Sequence, residues 1–349
     1  MQTNARRPSL RLILHLAAFA CALCWCATET TAQPPPTNDP GLGARAPWVM
    51  VYERRVARTE RSIEEPARRE LEKRPGRDAA DGGQGLAKPG LVRALSPAEQ
   101  QALAHMDKGL ALFAKNKFDK AVGEYLEAIR ACPTLAVIHN NLGSAYFALN
   151  RFDEAAAAYK QATQLEPNFA LAHFNLGLLY LKQGREREAT TALNAAAQAY
   201  LAAGDEHFKA GQLKEAEEDF KALLLIDPAF YPGRVKLGMV ESAAGRPAEA
   251  AALFQQLIRE QPNKPDAYRR LGETLYQLGK YADAAATLQQ ALKLQPGAPD
   301  AHYNLGKTYL KLGQPDLARA EQTKLQALHA DEYARTLADL LGNKPPRKP

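Results

Sequence analysis

The chain has 349 residues, 46% of them hydrophobic and 24% charged, and carries a formal net charge of +6. The basic surplus sits at the ends, with +5 on residues 1–98, −2 on residues 99–332 and +3 on residues 333–349, so the middle lacks the basic surface that nucleic-acid recognition needs and no nucleic-acid partner is expected. Cys21, Cys24 and Cys26 share one apolar run near the N-terminus, and without that run Cys132 has no internal disulfide partner.

Arg6, Arg7 and Arg11 precede an apolar run from Leu12 to Ala27, and Thr30, Thr31 and Ala32 offer a small-residue cleavage site. Residues 1–32 therefore read as a secretory signal peptide, and the run is short of the ~20 residues that span a bilayer. The expected location is the periplasm or another exported compartment. A membrane is an expected partner only if this segment is retained as an anchor. Pro34 to Pro36, the dense mixed charge of residues 54–78 and the Gly, Pro and Asp of residues 75–90 mark residues 33–95 as a disordered linker. Inside it, Trp48-Val49-Met50-Val51-Tyr52 has strand-like composition. That run is either an incidental apolar spot or a segment that docks on the rest of the chain or on a partner.

Ser96, Pro97 and Glu99 read as N-cap, first helical position and capping-box acid, so folded structure is expected from residue 96. From there seven glycines, Gly109, Gly143, Gly177, Gly204, Gly238, Gly272 and Gly306, recur at intervals of 34, 34, 27, 34, 34 and 34 residues. Ala121, Ala155, Ala189, Ala216, Ala250, Ala284 and Ala318 follow in the same phase, each twelve residues downstream. A mid-helix glycine costs ~1 kcal/mol against alanine, so its recurrence implies close helix crossing. Pro133, Pro167, Pro228, Pro262 and Pro296 fall where second helices should stop. Asp331 to Leu341 reads as one more amphipathic helix, stopped by Gly342 and placed to cap the last unit, with 343–349 a basic tail.

The best copy, residues 136–169, places His139, Leu142, Gly143, Tyr146, Ala155, Tyr159, Ala162 and Pro167 in the order aromatic-x2-L-G-x2-Y, A-x3-aromatic-x2-A, P. This resembles the tetratricopeptide repeat, a pair of antiparallel helices. The resemblance implies an all-α, right-handed solenoid of about seven helix pairs plus a C-terminal capping helix. It also implies a concave groove, lined by first helices, that holds peptides or helices of another protein.

Groove positions are expected two before, one after and four after each glycine. Asn141, Asn175, Asn304, Lys236 and Arg270 stand in the first of these columns, and Phe113, Phe147, Phe208 and Tyr276 in the last. The three asparagines look like the asparagine ladder of the O-linked N-acetylglucosamine transferases, although N-L-G is also common repeat consensus. The aromatics are either ligand anchors or packing between helices. Lys236, Arg269 and Arg270 form a local basic patch tempered by Asp266 and Glu273, which would favour acidic peptides if it were free.

No catalytic constellation is present. Ser62, Ser96, Ser144 and Ser242 stand outside any G-x-S-x-G elbow, and there is neither an H-E-x-x-H nor a phosphate-binding loop. No enzyme activity, metal or cofactor is expected. His105, His139, His173 and His302 each precede a repeat glycine by four, in a column shared with Tyr200 and Tyr268, and read as aromatic packing positions. The function expected is non-catalytic binding of another protein or peptide. The alternative is an accessory subunit that supports an envelope assembly through its outer face.

The short interval, 27 between Gly177 and Gly204, lacks two helical turns, and no proline or glycine interrupts Glu188 to Ala203. One long helix is therefore expected near residues 187–210, joining units one to three (96–196) to units four to seven with the cap (197–342).

Overall fold

The computed structural model describes residues 95–342. The signal segment, nearly all of the linker with its Trp48 to Tyr52 run, and the basic tail lie outside the described residues. Those described form an all-α solenoid of fourteen helices with no strand. In chain order they are α1 (Pro97–Phe113), α2 (Phe118–Ala131), α3 (Ala136–Ala148), α4 (Phe152–Leu165), α5 (Ala170–Lys182), α6 (Glu186–Lys209), α7 (Leu213–Ile226), α8 (Tyr231–Ala243), α9 (Pro247–Glu260), α10 (Pro265–Gln277), α11 (Tyr281–Leu294), α12 (Pro299–Lys311), α13 (Pro315–Ala327) and α14 (Asp331–Leu340). None of these helices is long and apolar enough to cross a membrane.

Local signals set the helix ends. Ser96 Oγ accepts from Glu99 N at 3.3 Å while Glu99 accepts from Ser96 N at 2.8 Å, closing the expected capping box. Pro133, Pro167, Pro228, Pro262 and Pro296 lie just past α2, α4, α7, α9 and α11. The turn inside each pair uses a second register that the sequence reading passed over. Gly184, Gly211, Gly245, Gly279 and Gly313, with Asn116 and Asn150 in the first two copies, take positive φ. There the backbone closes bonds such as Arg185 N to Tyr180 O at 2.9 Å, which satisfies carbonyls at the helix end.

The chain divides into two compact units, up to Ala199 and from Tyr200 on. The expected long helix is present as α6, 24 residues and about 36 Å at 1.5 Å per residue. It contributes to both units.

In the first unit α1 packs on α2, α2 on α3, α3 on α4 and α4 on α5. Met106, Tyr125, Leu135, Ile138, Tyr159 and Leu179 are fully buried there. In the second unit consecutive helices from α7 to α14 pack in the same serial way, around Phe220, Phe254, Leu257, Leu288, Leu325 and Leu337.

The glycine register has a direct steric cause. A Cβ added at Gly109, Gly143, Gly204 or Gly238 would stand 2.5 to 2.7 Å from the ring of Tyr125, Tyr159, Phe220 or Phe254. At Gly177 and Gly272 the blocking side chains are Leu193 and Leu288. At Gly306 the partner is Leu337 of α14, so the C-terminal helix supplies the last unit's missing contact. All seven phased alanines have no solvent exposure.

Gly143 and Gly123 separate propensity from packing. Gly123, inside α2, has nothing within 4 Å of an added Cβ, so Gly123→Ala should raise the urea midpoint by ~1 kcal/mol equivalent. Gly143→Ala gains the same propensity but drives a methyl into the fully buried Tyr159 ring. Overpacking costs ~1 to 3 kcal/mol and should win, lowering the midpoint.

Candidate functional site

First helices of successive pairs carry the candidate residues, and the two units arrange them differently. In the first unit, Asn141 on α3 and Asn175 on α5 are brought together by Asn140, which the column reading missed. Asn175 Nδ2 donates to Asn140 Oδ1 at 2.9 Å, and Asn140 Nδ2 reaches Asn141 Oδ1 at 3.4 Å. Asn141 Nδ2 is buried with no hydrogen-bond partner. The clue to Asn140 was the doubled asparagine of the N-N-L-G run, whose first amide sits one position outside the column considered.

Burial sets α3 and α5 apart from the other first helices, since Asp107 in the same column on α1 is exposed. Asn141 is 4% exposed and Asn175 3%, and their neighbours one position past the glycine, Ser144 and Leu178, are 5% and 8% exposed. In the second unit Lys236, Met239, Arg270, Glu273, Asn304 and Lys307 occupy the same columns and are all half-buried.

Charged residues of the second unit are neutralised from within. Lys236 Nζ lies 2.8 Å from Asp205, Arg269 pairs with Asp300 at 2.7 Å and with Asp266, and Arg270 pairs with Glu273 at 2.9 Å. Burial works to lower the Arg269 pKa, but the carboxylates of Asp266, Asp300 and Glu273 outweigh it and hold it above its ordinary value. Glu273 also accepts from Asn304 Nδ2 at 2.8 Å, so it joins Arg270 to Asn304. Asp266 and Glu273 temper the basic patch as the sequence suggested, and each of its cations faces a carboxylate. Lys307, which the sequence reading did not single out, instead lies 5.0 Å and 5.1 Å from the ring centres of Tyr276 and Tyr303, within cation–π range.

Phe113, Phe147 and Tyr276 meet Phe118, Phe152 and Tyr281 edge to face, with centroids 5.0, 5.8 and 5.3 Å apart. Of the two readings left open for them, packing between the helices of a pair is visible. Phe208 is half-buried in the last turn of α6. The histidine column does more than pack. Nε2 of His139, His173 and His302 donates to the carbonyl of Pro133, Pro167 and Pro296, each at 2.8 Å. These rings therefore satisfy a carbonyl that a proline turn leaves outside any helix ladder. His105 instead meets Glu124 at 2.7 Å.

A family model described as TPR repeat matches residues 109–150 and 143–184, and one described as tetratricopeptide repeat matches residues 201–265, 235–299 and 269–333. Together the matches span more than half of the chain. No curated protein matches the sequence. Among solved structures, the chain is similar to a tetratricopeptide repeat protein from Parabacteroides merdae ATCC 43184, at 20% identity and a TM-score of 0.40, over 70% of this chain and all of that one. It is similar to a chain of the APC/C hetero-tetramer Cut9-Hcn1, at 19% identity and a TM-score of 0.39, over 71% of this chain and 56% of that one. It is also similar to YrrB, a TPR protein with an unusual peptide-binding site, at 21% identity and a TM-score of 0.30, over 62% and 97% of the two chains.

Ion pairs within and between helices give the second unit an acid limit. Hydrogen bonding from Lys221 holds the Glu217 carboxyl below its ordinary range, with Arg246 adding to the effect, and hydrogen bonding from Arg234 does the same for Glu260. A depressed folded-state pKa stabilises above the unfolded value, near 4.5, and that contribution disappears as pH falls through the folded value. Thermal unfolding followed from pH 7 to pH 3 should show stability declining below that point. The double substitution Glu217→Gln with Glu260→Gln should flatten the decline.

Proposed function

We propose that this chain, which belongs to the tetratricopeptide repeat family, is an exported scaffold that holds an extended segment of another protein against its first helices. Its repeats mark it as a protein–protein interaction scaffold. Export rests on the arginine-led apolar run from Leu12 to Ala27 and the small-residue cleavage site at Ala32, and such a scaffold would work in a periplasm or at an envelope surface. The chemistry is binding without catalysis, since the groove columns offer amides, aromatic faces and paired charges.

The row Asn175, Asn140 and Asn141 carries this reading. Three linked amides end in an Asn141 Nδ2 that meets no acceptor. A buried donor left unmet costs ~1 to 3 kcal/mol, and a main-chain carbonyl of a bound segment would remove that cost. An amide both donates and accepts, so such a row reads a backbone regardless of side chains. Partner side chains then supply the apolar burial that most of the affinity needs.

Crosslinking with mass spectrometry in the native host would identify the partner and the face it touches. Measured against that partner, Asn141→Ala with Asn175→Ala should weaken binding at least tenfold, equivalent to about 1.4 kcal/mol, with the helical circular dichroism unchanged. Unchanged binding in this variant, combined with loss on reversing charges of the outer face, would instead establish the accessory-subunit reading.

A further inference from the structure

One cation in the groove columns of the second unit is not neutralised from within. Lys236 faces Asp205 at 2.8 Å and Arg270 faces Glu273 at 2.9 Å, while Asp266 and Asp300 pair with Arg269. Lys307 on α12 differs. Its ammonium forms no ion pair among the described residues and lies 5.0 Å and 5.1 Å from the ring centres of Tyr276 and Tyr303. Glu273, in the same column on α10, accepts from Arg270 and Asn304 instead. A tyrosine face attracts an ammonium but carries no formal charge. Burial, with Tyr276 and Tyr333 alongside, pushes the Tyr303 phenol up, so that ring stays neutral at pH 7 and leaves the charge of Lys307 uncancelled.

We infer that Lys307, straddled by Tyr276 and Tyr303, receives an Asp or Glu side chain of the partner segment that meets the second unit. This inference rests on the reading of the first helices as a peptide groove. Charge complementarity selects the occupant. A single ammonium matches a single carboxylate, whereas a phosphate dianion is better held by several donors or a guanidinium fork, and Arg269 and Arg270 are already committed to carboxylates. Lys307 is half-buried, so a ligand can reach its head while the flanking rings displace part of the water around it. Partial removal of water strengthens the attraction between opposite charges. Tyr333 on α14 is 40% exposed and its ring centroid lies 5.3 Å from that of Tyr303, which gives an apolar residue beside the acid a ring to lie on. The amides of α3 and α5 read a backbone whatever its side chains, and Lys307 adds a preference for sequence.

A displayed library of random peptides, panned in parallel on the full chain and on its Lys307→Gln variant, tests this without a known partner. Asp and Glu should be clearly enriched among peptides captured by the unaltered chain relative to those captured by the variant. A captured acidic peptide, resynthesised with its acid exchanged for the matching amide, should bind the unaltered chain about five-fold more weakly, the upper end for a solvent-accessible ion pair. Raised salt should shrink that difference. Lys307→Gln should abolish it, and Lys307→Arg, which keeps the charge, should preserve it, so that a folding defect is not mistaken for a lost charge. The inference is overturned if the two pools have equal acid content, or if the acid-to-amide exchange changes nothing in the unaltered chain. It is equally overturned if only a phosphoserine form of the peptide gains affinity, which would assign the site to phosphate. Peptides captured without acidic preference leave the scaffold reading standing, whereas capture of no peptide at all by the unaltered chain counts against both.

Discussion

The fold depends on the contact between a first helix that lacks a side chain and a second helix that lays a large one against it. Gly143 under Tyr159, and Gly238 under Phe254, bring two backbones within the thickness of one ring. The phased alanine on the second helix keeps the opposite side of the crossing equally thin. A pair held this closely exposes an apolar flank on each side, and only the next pair can cover it, so the architecture extends in series until something else closes it. At the C-terminal end α14 does so, placing Leu337 over Gly306.

The same backbone framework displays two chemistries. The groove columns of α3 and α5 present linked amides and small or apolar side chains, most of them buried. Those of α8, α10 and α12 present, Lys307 apart, ions already matched, with Glu273 tying Arg270 to Asn304 across two pairs. Charge placed on a repeat face invites an opposite charge from the neighbouring repeat, and these internal pairs leave less for a ligand to gain from coulombic attraction alone. Amides exert no such long-range pull. They wait for hydrogen-bonding groups brought close by other contacts, which suits them to reading a backbone.

Much of this was legible in the residue order. The seven-glycine register, the proline stops, the capping box at Ser96 and the uninterrupted stretch that becomes α6 are local or periodic signals, and each corresponds to a feature of the helices. The second glycine register is equally periodic, but it marks the turns within pairs and not the helix interiors that the first register aligns. The site was less legible. Column position correctly singled out Asn141 and Asn175 but could not reveal that Asn140 links them, since that contact reaches from one repeat to the next. Nor could it distinguish Asn304 from the other two, because its partner Glu273 lies on a different helix.

By itself the sequence determined the repeat, its helix pairs and their boundaries, because each rests on steric rules that act within a few residues or recur at a fixed interval. Only the tertiary structure decided which side chains spend their polar groups on one another. Lys236 with Asp205 and Arg269 with Asp300 are matters of distance between elements. Hydrogen bonds and ion pairs fade within a few ångströms, so no periodicity along the chain could have assigned those partners.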